Sequence, residues 1–167
     1  MNIKDIQFIY DYNYWANAMI ISAASNVTEE QFFAPSSFPF GGLHGTLLHI
    51  FDTEYGWRLL FETNSTAGED LDRALVSNFQ SLKEEWGKEE QIMRAYLNGL
   101  NDEDVTGHIK YNNIEGEPRD RILWHCLLHV VNHGTQHRSE AAALLTDFGC
   151  SPGDLDFSLF LMETGNS

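Results

Sequence analysis

The sequence predicts an all-α protein, and within that class a four-helix bundle with a short hairpin-like crossover before the last long helix. Three observations support this prediction. Four long segments carry apolar residues at steps of three and four, the period of an amphipathic helix. Only one short segment alternates apolar and polar residues as a β-strand does. The connections are too short to separate two domains, so we expect one bundle domain over residues 1–167.

The first half of the chain contains two of the predicted long helices and the loop between them. The first helix is expected over residues 3–24, where the apolar side chains follow helical spacing. Thr28 and Gln31 have the spacing of a capping box and begin a short helical turn, because each side chain can accept from a free backbone N–H near the other. Prolines and glycines then mark a loop. The second long helix is expected over residues 43–61.

A polar connection separates the second long helix from the third. Residues 64–70 are polar and show no period. The third helix is expected over residues 78–100, and its inward residues are expected to be Phe79, Leu82, Trp86, either Ile92 or Met93, Tyr96 and Leu100. Gly87 weakens this helix locally, because glycine loses more backbone entropy on folding than other residues.

The crossover and the last long helix follow. Residues 106–117 combine a short alternating segment with asparagine and glycine residues that favour a turn, which predicts the hairpin. Pro118 suits the first turn of a helix, where the missing N–H costs no hydrogen bond. We therefore expect the fourth helix to begin at Pro118, continue to about Phe148 and end at Gly149. A short apolar tail follows over residues 155–162.

The composition excludes several classes of partner. The chain has 25 acidic and 10 basic residues and a formal net charge of −15. This charge disfavours binding to nucleic acids and anionic membranes, because phosphate contacts dominate such affinity. No apolar run is long enough for a transmembrane helix, and the N-terminus lacks an export pattern, so we expect a cytoplasmic protein. Cys126 and Cys150 are too few for a disulfide framework and are expected to be reduced packing residues.

Four histidines at intervals of four distinguish the last long helix. Each step of four advances about 40° around the axis, so the histidine stripe winds across the helix surface. Five apolar residues define the core face independently: Leu123, Leu127, Val130, Ala141 and Leu144. Relative to that face, His137 points inward and His133 lies at the edge. His129 lies further out, and His125 faces largely away.

The spacing of His133 and His137 indicates a metal site. Residues four apart lie on one helix face, so both rings can reach one ion. His49 lies beside the apolar stripe of the second long helix and can face them across the interior. Three imidazoles with an open fourth position are typical of catalytic metal sites. The alternative is that these histidines are hydrogen-bonded packing residues. We expect a capping or solvent role for His44 and assign no role to His108.

Three segments resemble the motifs of the DinB/YfiT-like family. They read Tyr-Trp-Ala-Asn at 14–17, Leu-His-Gly-Thr-Leu-Leu-His-Ile at 43–50, and Leu-His-Val-Val-Asn-His-Gly-Thr-Gln-His-Arg at 128–138. Their order and spacing agree with the family from near residue 8 to near residue 160. The resemblance implies a four-helix bundle with a three-histidine metal centre. Matched residue by residue, it implies His49, His133 and His137 as the ligands, the same three reached from the helix faces.

The chain departs from the family at the end of the third motif. The family's usual His-Arg-Gly-Gln is replaced by His137-Arg138-Ser139-Glu140. The ligands are retained, and a carboxylate is added one turn from the metal pair. Because this change lies beside the site, the resemblance does not assign a specific substrate.

The resemblance also implies a class of chemistry. Related members include thiol-dependent S-transferases and isomerases, and others are assigned as hydrolases. We therefore expect a metal-dependent transferase or hydrolase acting on a small molecule, with a low-molecular-weight thiol as a candidate partner and a homodimer as the candidate assembly. The expected cofactor is a divalent ion, zinc or nickel first and iron next. The alternatives are a non-catalytic bundle that binds a metal or ligand, and a purely structural bundle.

Three polar residues near the expected ligands are the candidates for a catalytic role. Asp52, one turn from His49, could orient an imidazole or act as a base. Glu54 lies on the apolar stripe of the same helix. Arg138 could hold a substrate carboxylate or pair with one of the many acidic residues. For Asp52 and Glu54 the alternative is a solvated helix charge. Asn13, on the inner stripe of the first helix, needs a polar partner and could line a pocket.

Overall fold

The structure, a computed structural model, describes residues 1–64, 71–113 and 115–165. These residues are mostly helical and include one small two-stranded sheet, so the predicted helical class is confirmed. The long helices are α1 (Ile3–Ala24), α3 (Leu43–Thr63), α4 (Phe79–Asn98) and α6 (Leu123–Asp147). The short helices are α2 (Glu29–Phe32), α5 (Asp102–Thr106) and α7 (Phe157–Glu163), and a 3₁₀ turn (Arg73–Val76) precedes α4. Residues 65–70 of the predicted polar connection lie outside the described residues.

Side-chain caps fix where several helices begin. The predicted capping box is confirmed: the backbone N–H of Gln31 donates to Thr28 Oγ1 at 3.2 Å, and the N–H of Thr28 donates to Gln31 Oε1 at 2.9 Å. Equivalent boxes begin α1, α4 and α5, each with an asparagine as the capping residue. Such caps satisfy backbone donors that the first helical turn leaves free.

The end of α6 also follows its sequence prediction. Gly149 has a φ of +77°, a left-handed conformation that glycine adopts without steric cost. The N–H of Gly149 donates to Thr146 O at 2.9 Å, and the N–H of Cys150 donates to Leu145 O at 2.8 Å. These two bonds form a Schellman motif and satisfy the last helical carbonyls.

The start of the last long helix differs from the prediction. Pro118 does not occupy a first helical turn; it begins strand β2 (Pro118–Ile122), which pairs antiparallel with β1 (His108–Asn112). Proline is tolerated at the first residue of a strand because it withholds only one ladder hydrogen bond there. The partner strand supplies the remaining bonds, so helix α6 begins five residues later than predicted, at Leu123.

The long helices pack around two apolar clusters. Helix α6 packs against α1 and α3, and α4 packs against the same two helices. One cluster includes Tyr10 and Leu127, and the other includes Leu47 and Leu144. This packing places the histidine stripe of α6 beside α3. No helix in the described ranges is long and apolar enough to cross a bilayer.

Candidate metal centre

Helices α3 and α6 bring three imidazoles together. The ring centroids of His133 and His137 are 4.4 Å apart, and each lies 4.7 Å from the ring of His49. The Nε2 atoms of His49 and His133 are 2.9 Å apart. Each of the three rings offers one nitrogen, and all three nitrogens lie within 4.8 Å of one another. The structure therefore groups the three histidines that the sequence predicts, in an arrangement that could bind a metal ion.

The exposure of the α6 histidines follows from the winding of their stripe. His137 is buried, with 5% of its surface exposed, His133 is half-buried, and His125 and His129 are exposed. The five apolar residues that set the predicted core face are all buried. Because the stripe turns away from this face by about 40° per step, His133 and His137 alone of the four are both near the core and near α3.

The surroundings of the rings keep imidazoles neutral. Burial, followed by the neighbouring His137 and His49, lowers the pKa of His133 to about 4. Burial, followed by His137, also lowers the pKa of His49 from its ordinary value. A metal ligand must be a neutral imidazole with a free lone pair. The environment therefore favours the ligand form of both rings at neutral pH.

A carboxylate fixes the tautomer of the third ring. Nδ1 of His137 lies 2.8 Å from Oε2 of Glu140, one turn further along α6. An ionised carboxylate only accepts hydrogen bonds, so Nδ1 carries the proton and donates it. Nε2 of His137 then holds the lone pair. This carboxylate is the one by which the third sequence motif departs from the usual family ending.

The donor set fits a divalent transition metal. In a tetrahedral zinc site with Zn–N bonds of about 2.0–2.1 Å, ligating nitrogens lie about 3.4 Å apart. The separation of 2.9 Å between two ring nitrogens and the 4.8 Å limit for all three bracket that value. Small ring rotations are enough to reach metal geometry. Imidazole nitrogen suits zinc, nickel, copper and iron, so the ligand types do not select one ion.

Comparison with known proteins identifies the family of the chain. The family model described as the DinB family matches residues 1–166. The chain belongs to the DinB family. It is also similar to Protein DinB of Bacillus subtilis (strain 168), with 26% identity over 172 residues, covering 97% of each chain.

In this DinB-family chain, the catalytic candidate Asp52 lies at the surface. Its Oδ2 accepts from Nη2 of Arg73 at 3.1 Å, and both side chains are substantially exposed. Asp52 acts on His49 through its charge, which raises the pKa of that ring against the larger effect of burial. Within the described residues, no hydrogen bond joins it to the three rings. The catalytic role of Asp52 stays a prediction.

Glu54 and Arg138, the other two candidates, are the ends of one buried network. The term buried network refers here to six residues that are joined by hydrogen bonds: Asn13, Asn17, Glu54, Trp86, Thr135 and Arg138. Glu54 Oε1 accepts from the side-chain amides of Asn13 and Asn17 at 2.8 and 3.0 Å, and its Oε2 accepts from the Trp86 indole at 2.6 Å. Of the two readings that the sequence left open for Glu54, the solvated helix charge is wrong, because α1 and α4 cover this face of α3.

Arg138 completes the network from the other side. Its Nη1 donates to the carbonyl oxygens of the same two amides, at 2.6 Å to Asn13 and 2.8 Å to Asn17. Its Nη2 donates to Thr135 Oγ1 at 2.9 Å. The side chain is 1% exposed, and burial lowers the pKa of its guanidinium. The expected direct pairing with an acidic residue is therefore replaced by a link through asparagines, and the polar partner expected for Asn13 is found here.

Phe40 is a site residue that the sequence analysis missed. Its ring stacks on His49 with centroids 3.7 Å apart and an angle of 14° between the planes, and it meets His137 edge-on at 5.1 Å. Gly45 permits this approach, since a Cβ at that position would overlap the Phe40 carbonyl oxygen. Phe40 precedes α3 in a loop, where no helical period could have indicated it.

The remaining histidines take other positions. His44 packs against Phe32 and Phe33, with ring centroids 5.3 and 4.9 Å away. The N-cap residue of α3 is Gly42, with no side-chain cap bond, so of the two roles predicted for His44, capping or contact with solvent, the capping role is wrong. His108 pairs with Asp120 across the hairpin.

Proposed function

We propose that the chain is a metal-dependent enzyme that uses the three histidines to hold one divalent ion and acts on a small molecule by thiol-dependent S-transfer or by hydrolysis. One observation carries the proposal: three imidazole nitrogens from two helices converge within 4.8 Å. Family membership supports the same assignment. The ligands would be His49, His133 and His137.

The chemistry follows from the ligand set. A divalent ion held by three imidazoles and one exchangeable position supplies Lewis-acid activation of a water or a thiol. Residues of the chain prepare the ligands for this. Glu140 holds the proton at Nδ1 of His137, and burial keeps His133 neutral. The ring of Phe40, which is 36% exposed, stacks on His49 and would limit which groups approach the centre.

We also propose that the four long helices form a four-helix bundle. In support, α1 and α3 each pack against both α4 and α6. Such bundles build metal sites from inward side chains on facing helices. A small thiol as co-substrate, a homodimer and a cytoplasmic location stay predictions that belong to this proposal.

Metal content of untagged protein tests the proposal. Elemental analysis should find about one divalent ion per chain. His49→Ala and His133→Ala should each weaken metal binding by at least about tenfold, because each removes one of three ligands. His125→Ala is the matched control, since it removes an exposed imidazole from the same helix. Equal metal content in the wild type and both ligand variants would contradict the ligand assignment.

The same proteins then test catalysis. Loaded wild type should transfer small thiols to electrophiles or hydrolyse small esters, and His137→Ala should lose this turnover while His125→Ala keeps it. Stoichiometric metal binding without turnover on either substrate class would favour the non-catalytic binding module. Thermal unfolding of each variant separates loss of a ligand from loss of the fold, which matters most for the buried His137.

A further inference from the structure

We infer that Glu140 is a positioning residue of the metal centre: it orients His137 and supplies a negative charge beside ligands that are otherwise neutral. The inference rests on the proposed function, because it concerns the affinity of the three histidines for an ion. It goes beyond the ligand set, since Glu140 does not itself belong to the convergent group.

The first support is the geometry of the contact. Oε2 of Glu140 lies 2.8 Å from Nδ1 of His137, and both residues are on α6, three positions apart. Both groups are sheltered, because the His137 side chain alone is 7% exposed and the Glu140 side chain alone is 18% exposed. A rigid helix and a sheltered bond hold the ring in one orientation better than a surface contact would. A ligand that is oriented in advance loses less entropy when it binds an ion.

The second support is that the carboxylate has no competing cation. Within the described residues, Glu140 forms an ion pair with His137 and with no lysine or arginine. Its charge is therefore available to the imidazole. A carboxylate on the distal nitrogen makes an imidazole a more basic donor, and such partners commonly change metal affinity by about 10- to 100-fold.

The third support is the contrast with the other two rings. His49 and His133 turn their Nε2 atoms toward each other, and in the described part of the chain no carboxylate bonds to either ring. Phe40 holds His49 by stacking, which adds no charge. The carboxylate that is hydrogen-bonded to a ring of the centre is therefore that of Glu140. It occupies the position at which the family motif usually has a glutamine.

Two substitutions separate orientation from charge. Glu140→Gln keeps an oxygen that can accept from Nδ1 and removes the charge, whereas Glu140→Ala removes both. Asp147→Asn is the control for net charge, because it removes a carboxylate from the same helix about 10 Å further along. Zn²⁺ dissociation constants, from chelator competition on untagged protein, should rise by about 10- to 100-fold for Glu140→Ala and by less for Glu140→Gln. The control should match the wild type.

A spectroscopic readout excludes a merely structural effect. The visible spectrum of the Co²⁺-loaded protein reports ligand field and geometry, and it should change in Glu140→Ala and be largely restored in Glu140→Gln. Urea unfolding of the metal-free proteins measures the fold separately. Zn²⁺ affinities and Co²⁺ spectra equal to those of the wild type in both variants would overturn this inference alone. A wild type that takes up no metal would overturn the proposed function, and this inference with it.

Discussion

The buried network and the three-histidine cluster both join α3 to α6, but their polar atoms are matched in opposite ways. In the network, the Glu54 carboxylate meets three N–H donors and the Arg138 guanidinium meets three oxygens. The side-chain amide of each asparagine donates its N–H to Glu54, and its carbonyl oxygen accepts from Arg138. In the histidine cluster, by contrast, ring nitrogens of the same kind face one another.

This difference separates structure from function in one molecule. Donors and acceptors that complete each other gain little from a further ligand, and removing one of them leaves a buried polar group unpaired. Nitrogen lone pairs that face one another cannot form hydrogen bonds with each other. A metal cation can accept all of them at once. We therefore expect the buried network to hold the helices together and the histidine cluster to bind a cation.

The largest expected effect comes from breaking the network. Arg138→Met keeps part of the aliphatic stem but leaves two asparagine oxygens and the Thr135 hydroxyl oxygen without their donor, and it removes the positive charge that the asparagines link to Glu54. We expect a loss of about 3–5 kcal/mol in the free energy of unfolding, as for other broken buried charge networks. Urea denaturation of the metal-free protein measures it.

The control for this prediction is a surface ion pair. Arg73→Met breaks the contact with Asp52, whose members are 65% and 37% exposed, and should cost less than about 1 kcal/mol. Similar losses for the two arginine variants would show that the buried network adds nothing beyond an ordinary surface pair.

A glycine substitution disturbs the network more mildly. A Cβ on Gly134 would lie 2.7 Å from Nη1 of Arg138 and 3.2 Å from Oδ1 of Asn13. Gly134→Ala should therefore cost about 1–3 kcal/mol through overpacking, despite the better helix propensity of alanine. Gly87→Ala in α4 is the matched control, because a Cβ there meets nothing within 4 Å. It should instead stabilise the protein by about 1 kcal/mol, and equal shifts in both variants would contradict the role of Gly134.

Local rules explain what the sequence could predict. The helix period and the spacing of four depend on residues within one element, so the inward position of His137 and the exposure of His125 follow without tertiary information. The Gly149 stop and the Thr28 box are equally local. These features predicted two of the proposed ligands on one helix face, and predicting the third required only the apolar stripe of a second helix.

The remaining features depend on partners far away in the chain. Arg138 bonds to two asparagines of α1 more than 120 positions earlier, and no local pattern links them. Phe40 reaches the site from a loop through space opened by Gly45. Pro118 reads locally as a helix start, yet it begins a strand because β1 provides a ladder for the residues after it.

The smallest of these effects is the pH dependence that His133 gives to the free energy of unfolding. Burial, and then the neighbouring rings, lowers the pKa of His133 to about 4, below the ordinary value of about 6.5 for an unfolded chain. Between these values the unfolded chain binds the additional proton, so stability is complete above about pH 6.5 and falls as the pH drops toward 4. The buried network contains no imidazole, so this contribution comes from the three-histidine cluster.

Urea unfolding of metal-free wild type and His133→Ala at pH 7 and pH 4.5 measures this contribution. The wild type should lose about 1 kcal/mol more than the variant between the two pH values, a figure reduced from the full pKa shift because water reaches the half-buried ring. Carboxylates that titrate in both proteins cancel in the difference. Parallel losses in the two proteins would mean that the fold does not hold His133 neutral. The proposed preparation of this ligand for metal binding would then be wrong, even if the three rings still converge.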